Sequence, residues 1–285
     1  MTDAYDGLLQ GSVMIAAFEG WNDAGAAASG ALAHLHDLWG AEQVDELDPD
    51  EYHDFQVNRP LIGPSPLGGR RIEWPTTTVA IATPPGASRQ VVLVHGIEPS
   101  MRWRQFCGEI LGIARRLDVR AVVTVGALLA DVPHTRPIPV TRTSEHLDLQ
   151  QALGIDGSTY AGPTGIIGVL QAEAANRVIP GLSLWAAVPH YVANPPSPKA
   201  ALALLRGLEE TLGHPIDAGD LAQDAEAWQH GVDELAAEDE EIAEYVAQLE
   251  QAKDTVDLPE ASGEAIAREF ERYLRRREGG STGAG

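Results

Sequence analysis

The sequence predicts a three-layer α/β/α fold with a mostly parallel mixed sheet, followed by a C-terminal helical appendage. Three observations carry this expectation. Short apolar runs alternate with amphipathic helical segments between residues 13 and 212, the pattern of a sheet covered on both faces. The run at 121–125 is so dense in valine that it reads as a strand buried on both sides. Beyond His214-Pro215 the composition turns acidic and the apolar spacing becomes heptad-like. The expected division is a core over 1–216, an acidic helical appendage over 217–278 and a disordered tail over 279–285.

Residues 13–18 (VMIAAF) form the first expected strand. A tight turn follows over 19–23, where Asp23 is placed to cap a helix. Ala28, Leu32, Leu35 and Trp39 share one face of that helix, and Gly40 suits its left-handed end. A strand near 43–47 and an apolar stretch at 52–55 come next. The stretch 58–69 (NRPLIGPSPLGG) holds three prolines and three glycines and reads as a loop. The runs at 78–82 and 90–94 are joined by a Pro84-Pro85-Gly86 turn too short for a helix, so they are expected to pair antiparallel.

Trp103, Phe106, Ile110, Ile113 and Leu117 lie on one helical face and lead into the strand at 121–125. Gly126 is expected to break that strand. The segment after it contains Pro133, Pro137 and Pro139, excluding a central strand there, and it carries Asp131, His134 and Arg136. A short helix is expected over 147–153. Another opens at Gly162-Pro163 with Ile166, Ile167, Leu170 and Ala174 as its packing face. A strand at 182–188 ends in Val-Pro-His, and Ser197-Pro198 opens a helix bearing Leu202, Leu205, Leu208 and Leu212.

From Asp217 to Glu260 there are fifteen acidic residues and one basic residue, Lys253. Leu221, Trp228, Val232, Leu235, Ile242, Val246 and Leu249 fall at four/three spacing, with Ala225 and Asp239 in the remaining seam positions, so one long helix is expected. Pro259 ends it. Ser262 is placed to cap a last helix carrying Ile266, Phe270 and Leu274.

Composition narrows the function. A formal net charge of -22 argues against nucleic acid and anionic membrane as partners. No apolar run reaches the ~18 residues of a membrane helix, and the first residues lack a basic leader, so the cytoplasm is the expected address. The single cysteine, Cys107, excludes an internal disulfide and a cysteine zinc site, and it reads as a small buried hydrophobe. No metal or cofactor is expected. There is no Gly-x-Ser-x-Gly elbow, no Walker loop and no dinucleotide glycine fingerprint after the first strand. His34 and His36 are two apart on a helix and read as a surface pair.

The candidate functional residues are those that follow apolar strands at their C-terminal ends, where open α/β sheets bind ligands. They are Asn22, Asp23, His95, Glu98, His134, Arg136 and His190. Such a set is open to two readings: acid–base or anion-binding chemistry, or polar side chains that satisfy loop carbonyls and helix ends beside many prolines. Arg136, held stiff between Pro133 and Pro137, is expected to clamp an internal carboxylate, with Asp23 or Glu98 as its partner.

At these same places the chain resembles the bacterial branch of the proteasome assembly chaperone 2 family. The resemblance rests on IAAFEGWNDAG (15–25), HGIEPSMRW (95–103), VTVGALLADVPHTRP (123–137), YAGPTGIIG (160–168) and VPHYVANPPSPKAALALL (188–205), and it spans about residues 12 to 250. It implies a fold similar to nucleoside phosphorylases and peptidyl hydrolases, a homo-oligomer, and a non-catalytic protein-binding or assembly-chaperone role with proteasome subunits as partners. The fold analogy keeps open a small-molecule hydrolase or phosphorylase using the His/Asp/Arg edge. An ATP-dependent carboxylate–amine ligase, a label some bacterial members carry, sits poorly with a chain holding only Lys199 and Lys253 as lysines. The family's hydrophobic–Tyr–any docking tail has no counterpart, since Arg272-Tyr273-Leu274 places an arginine where the apolar residue belongs.

Overall fold

A computed structural model describes residues 11–66 and 68–255. The expected helix around 262–274 and the tail at 279–285 lie outside the described residues.

The chain runs β1 (Ser12–Glu19), α1 (Ala27–Leu38), β2 (Glu42–Glu46), α2 (Pro49–Tyr52), β3 (Leu61–Pro64), β4 (Arg70–Glu73), β5 (Thr77–Ala82) and β6 (Val91–Ile97). It continues through α3 (Trp103–Arg116), β7 (Val119–Ala130), β8 (Val140–Thr143), α4 (Leu147–Leu153), α5 (Ile166–Asn176), β9 (Gly181–Pro189), α6 (Pro198–Leu212), α7 (Leu221–Glu238) and α8 (Glu240–Thr255). Seven strands form the main sheet in the order β2-β5-β6-β1-β7-β9-β8. The four central strands, β6, β1, β7 and β9, are parallel, whereas β2, β5 and β8 join antiparallel at the edges.

The period-two alternation of a strand explains the three layers. Val13, Ile15 and Ala17 of β1 point into a core closed by α1 and α6. Met14, Ala16 and Phe18 point the other way, into a core closed by α3 and α5. Every one of these six side chains is fully buried. In the second core Phe106 packs edge-on against both Phe18 and Tyr52, with ring centroids 5.6 and 5.2 Å apart.

Four expectations are corrected. Gly126 does not end its strand: β7 continues to Ala130, with Gly126 paired to Trp185 of β9. A Cβ at Gly126 would stand 2.8 Å from the Trp185 ring, so glycine is there to make room for the indole. The proline-rich stretch at 58–69 is not simply a loop, since β3 within it pairs with β4 in a two-stranded hairpin. The helix expected at Pro163 begins at Ile166.

The fourth correction concerns the heptad segment, which is two helices rather than one. Asp239 adopts extended dihedrals (φ −124°, ψ 108°), and its carboxylate accepts the backbone N–H groups of Glu241 and Ile242 at 2.9 and 3.3 Å. A polar residue in the seam thus became the N-cap of α8. The buried face of α7 is Ala225, Val232 and Ala236, turned toward α6, while Leu235 is 60% exposed.

Candidate functional site

Because β1, β7 and β9 are adjacent and parallel, the loops at 20–25, 131–136 and 190–198 gather on one edge of the sheet. The chain leaves β1 toward β6 on one side and reaches β7 on the other, and such a reversal opens a crevice beyond the strand ends. A cavity of about 670 Å³ occupies this position, lined by Trp21, Asp23, Ser29, Leu128, Leu129 and Asn194, among others. Of the seven candidate residues, Asp23 alone lines it.

The turn after β1 is locked before any ligand is considered. Asp23 Oδ1 accepts the N–H of Ala28 at 2.7 Å and that of Ser29 at 3.2 Å, and Oδ2 accepts the Ser29 hydroxyl at 2.5 Å. The residue therefore caps α1, as its place in the sequence predicts. Burial raises its pKa above the ordinary carboxylate range, with those hydrogen bonds opposing the shift. Asn22 donates to Glu98 Oε1 at 2.8 Å, and the same oxygen accepts the N–H of Ile166, also at 2.8 Å. Glu98 thereby joins three separated segments: the β1 turn, its own loop after β6, and the first turn of α5. An acidic group at a helix N-terminus is favoured by the unpaired N–H groups there. His95 stands apart, its Nε2 3.7 Å from the Glu19 carboxylate, too far for a hydrogen bond.

The other half of the edge is built around Tyr191. Its hydroxyl accepts the backbone N–H of His134 at 2.7 Å and lies 2.7 Å from His134 Nδ1. An oxygen already accepting one N–H is free to donate its proton to Nδ1, which leaves the His134 proton on Nε2. That nitrogen faces Asp233 Oδ1 of α7 at 2.9 Å. His134 is 1% exposed, and burial lowers its pKa, opposed by Asp233, so the imidazole is neutral with both nitrogens engaged. Burial pushes the Tyr191 phenol up to about 12.

His190, Tyr191 and Tyr245 of α8 stack edge to face, with centroids 5.4 to 5.9 Å apart. His190 Nδ1 lies 3.1 Å from Asp131, and the Tyr245 hydroxyl donates to the same carboxylate at 3.4 Å. Arg136 Nη1 meets Glu250 Oε1 of α8 at 3.1 Å, and Thr135 hydrogen-bonds the same oxygen. Lys199 donates to the His134 carbonyl and, at 2.5 Å, to Gln229 of α7; burial lowers its pKa. The internal clamp expected of Arg136 is present, but its partner is Glu250 rather than Asp23 or Glu98.

Six of the seven candidates therefore fall into two groups joined by backbone rather than by side-chain contact, and His95 belongs to neither. Asn22, Asp23 and Glu98 knit turns and helix ends together. His134, Arg136 and His190 fasten α7 and α8 over the strand ends. Sequence reasoning missed Tyr191, Asp233, Tyr245 and Glu250, four residues that complete this clasp. The available signal was the acidic run: Asp233 and Glu250 belong to it, and they accept from His134 and Arg136 of the loop.

Among the described residues no group of three or more His, Cys, Asp or Glu is arranged to hold a metal ion, and no helix is long and apolar enough to cross a membrane. These features define a three-layer α/β/α protein whose strand-end edge is capped by its own C-terminal helices. The chain belongs to the PAC2 family, whose model matches residues 17–236. It is similar to a PAC2 family protein from Streptomyces avermitilis, with 52% identity, a TM-score of 0.78, and coverage of 82% of this chain and 99% of that one. It is also similar to a proteasome-assembly chaperone homologue from Mycobacterium tuberculosis, with 48% identity, a TM-score of 0.75 and the same coverage. An archaeal proteasome activator from Pyrococcus furiosus shares the fold at 18% identity, with a TM-score of 0.64 over 79% of this chain and 93% of that one. No curated protein matches the chain.

Proposed function

We propose that this chain is a non-catalytic assembly-chaperone-like protein that self-associates and acts in the cytoplasm on proteasome subunits. The single observation that carries this reading is the family together with its 48% identical relative, described as a proteasome-assembly chaperone homologue. The geometry of the edge supports it. Both nitrogens of His134 are engaged, the Arg136 guanidinium is held by Glu250, and Asp23 is saturated by three donors. An acid–base centre needs groups that converge on a reacting atom with at least one lone pair or proton to give. Here Asp23 holds the start of α1, while His134 and Arg136 hold α7 and α8.

The test is co-purification of the tagged full chain from native lysate, with proteasome α and β subunits quantified in the eluate. Stoichiometric recovery of α subunits is the expected result. Recovery no higher than that of an untagged control, at physiological salt and with the tag at either end, overturns the reading.

A further inference from the structure

The sheet is covered unevenly on the face that carries α5. That helix packs on β1, β7 and β9, and the edge strand β8 lies beyond them. Period-two alternation turns Leu182, Leu184 and Ala186 of β9 toward α1 and α6, so Ser183 and Trp185 belong to the α5 side. Register sets Thr143 of β8 opposite Ser183, on the same face. These three residues line the floor of a cavity of about 430 Å³. Ile167 and Gln171 of α5 make its wall, the loops at 144–145 and 158–164 its rim, and Trp21 joins it from the turn after β1. Pockets for small molecules span roughly 300–1,000 Å³. No residue of the His134/Tyr191 clasp lines this one.

The lining is rich in π electrons. Three aromatic residues, Trp21, Tyr160 and Trp185, border one space, and each is half-buried. A Cβ at Gly165 would stand 2.9 Å from the Trp21 ring, and one at Gly162 would stand 2.7 Å from the Tyr160 hydroxyl. Glycine at both positions therefore lets the rim close upon these rings. Three polar side chains of the lining direct their protons into the protein. The Ser144 hydroxyl donates to the Gly181 carbonyl at 2.6 Å, and the Tyr160 hydroxyl donates to the Pro163 carbonyl. The Gln171 amide donates to the Leu182 carbonyl at 2.7 Å and to Thr124 Oγ1 at 3.0 Å.

One charge borders the cavity, and it is negative. Glu145 has no ion pair among the described residues, and no Lys, Arg or His lines the site beside it. Its Oε1 accepts the N–H of Ser158 at 3.0 Å, which ties the two rim loops together and holds the exposed carboxylate at the mouth. Ring faces carry negative potential, and a carboxylate adds a full charge of the same sign. Such a lining attracts a cation and repels an anion.

We propose that this cavity binds a small free quaternary ammonium compound of about the size of choline. Its trimethylammonium head packs against Trp21, Tyr160 and Trp185, and Glu145 balances the charge. A primary ammonium brings three N–H donors that ring faces satisfy poorly, whereas a trimethylated head needs only apolar and electrostatic contact. A second carboxylate on the ligand would meet Glu145 and be disfavoured. The site is independent of the assembly role and stands whether or not proteasome subunits bind.

Isothermal titration calorimetry of the full chain tests this with choline and with its neutral carbon isostere, in which a tert-butyl group replaces the trimethylammonium. Saturable binding of choline at one site, and much weaker binding of the isostere, is the expected result. Glu145→Gln keeps an acceptor for Ser158 and should weaken choline binding about tenfold, as should Tyr160→Leu. Unchanged melting temperatures show that both variants fold; Glu145 is exposed, so its variant serves even if the tyrosine change unfolds the rim. Absence of binding up to about 10 mM choline overturns the proposal. So does equal affinity for choline and the isostere, or a Glu145→Gln protein that binds as the native chain does. Tighter binding of a peptide bearing trimethyllysine than of choline overturns the free small molecule as the ligand.

Discussion

His134 Nε2 lies 2.9 Å from the Asp233 carboxylate, and this contact ties the loop after β7 to helix α7 across 99 residues of sequence. The imidazole is buried and its pKa is lowered, first by desolvation and then by Lys199, with Asp233 and Glu250 acting against the shift. In the unfolded chain His134 returns to about 6.5. Between that value and the lower folded value the unfolded state binds more protons, so stability is full above about pH 6.5 and is lost as pH falls below it. The expected slope from this group is at most about 1.4 kcal/mol per pH unit. Urea midpoints between pH 7.5 and 5 measure it. His134→Gln should flatten that part of the profile; a profile unchanged by the substitution would contradict the assignment.

Asp23 illustrates a charge that is costly to bury and costlier to remove. Replacement by alanine leaves the N–H groups of Ala28 and Ser29 without their acceptor at a buried helix start. Asp23→Ala should therefore destabilise by about 2 kcal/mol. Asp23→Asn, which keeps one acceptor, should cost less. Denaturant unfolding separates the two, and equal costs would mean that the helix does not depend on this cap.

Gly126 and Trp185 form a matched pair across neighbouring strands. Gly126→Ala places a methyl against the indole and should cost about 1–3 kcal/mol. Adding Trp185→Leu should recover part of that loss, because the two changes act on one volume. Strict additivity of the two single effects would refute the steric account.

Arg136→Ala breaks a half-exposed pair, the two side chains being 35% and 30% accessible. Such a pair is worth about 1 kcal/mol or less, so global stability should move little. The effect belongs locally to α8, which Arg136 and Thr135 help to hold. Limited proteolysis should cut α8 faster in the variant at an unchanged melting temperature. A fall of several degrees would show that the clamp supports the whole core.

What was legible in the sequence is what local physics decides. The alternation of β1, the cap at Asp23 and the antiparallel return of β6 onto β5 each follow from residues close in the chain. The Gly126 reading failed because a glycine signals a break only when nothing distant explains it, and Trp185 is 59 positions on. The heptad reading failed at Asp239 for a similar reason. Its seam position was counted, yet a short carboxylate that bonds its own backbone competes with helix continuation. The site was half visible: His134 and Arg136 of the loop could be named, but their partners lie on helices whose docking no spacing rule predicts.

The base of the β3–β4 hairpin has its own consequence. Phe55 and Trp74 stack at its stem with centroids 4.9 Å apart, so the chain enters and leaves through one pinned gate. Everything beyond that gate is interchangeable in engineering terms, because neither core reaches it. A lineage could redraw this arm, residue by residue, while the folding problem solved by the other strands stays the same.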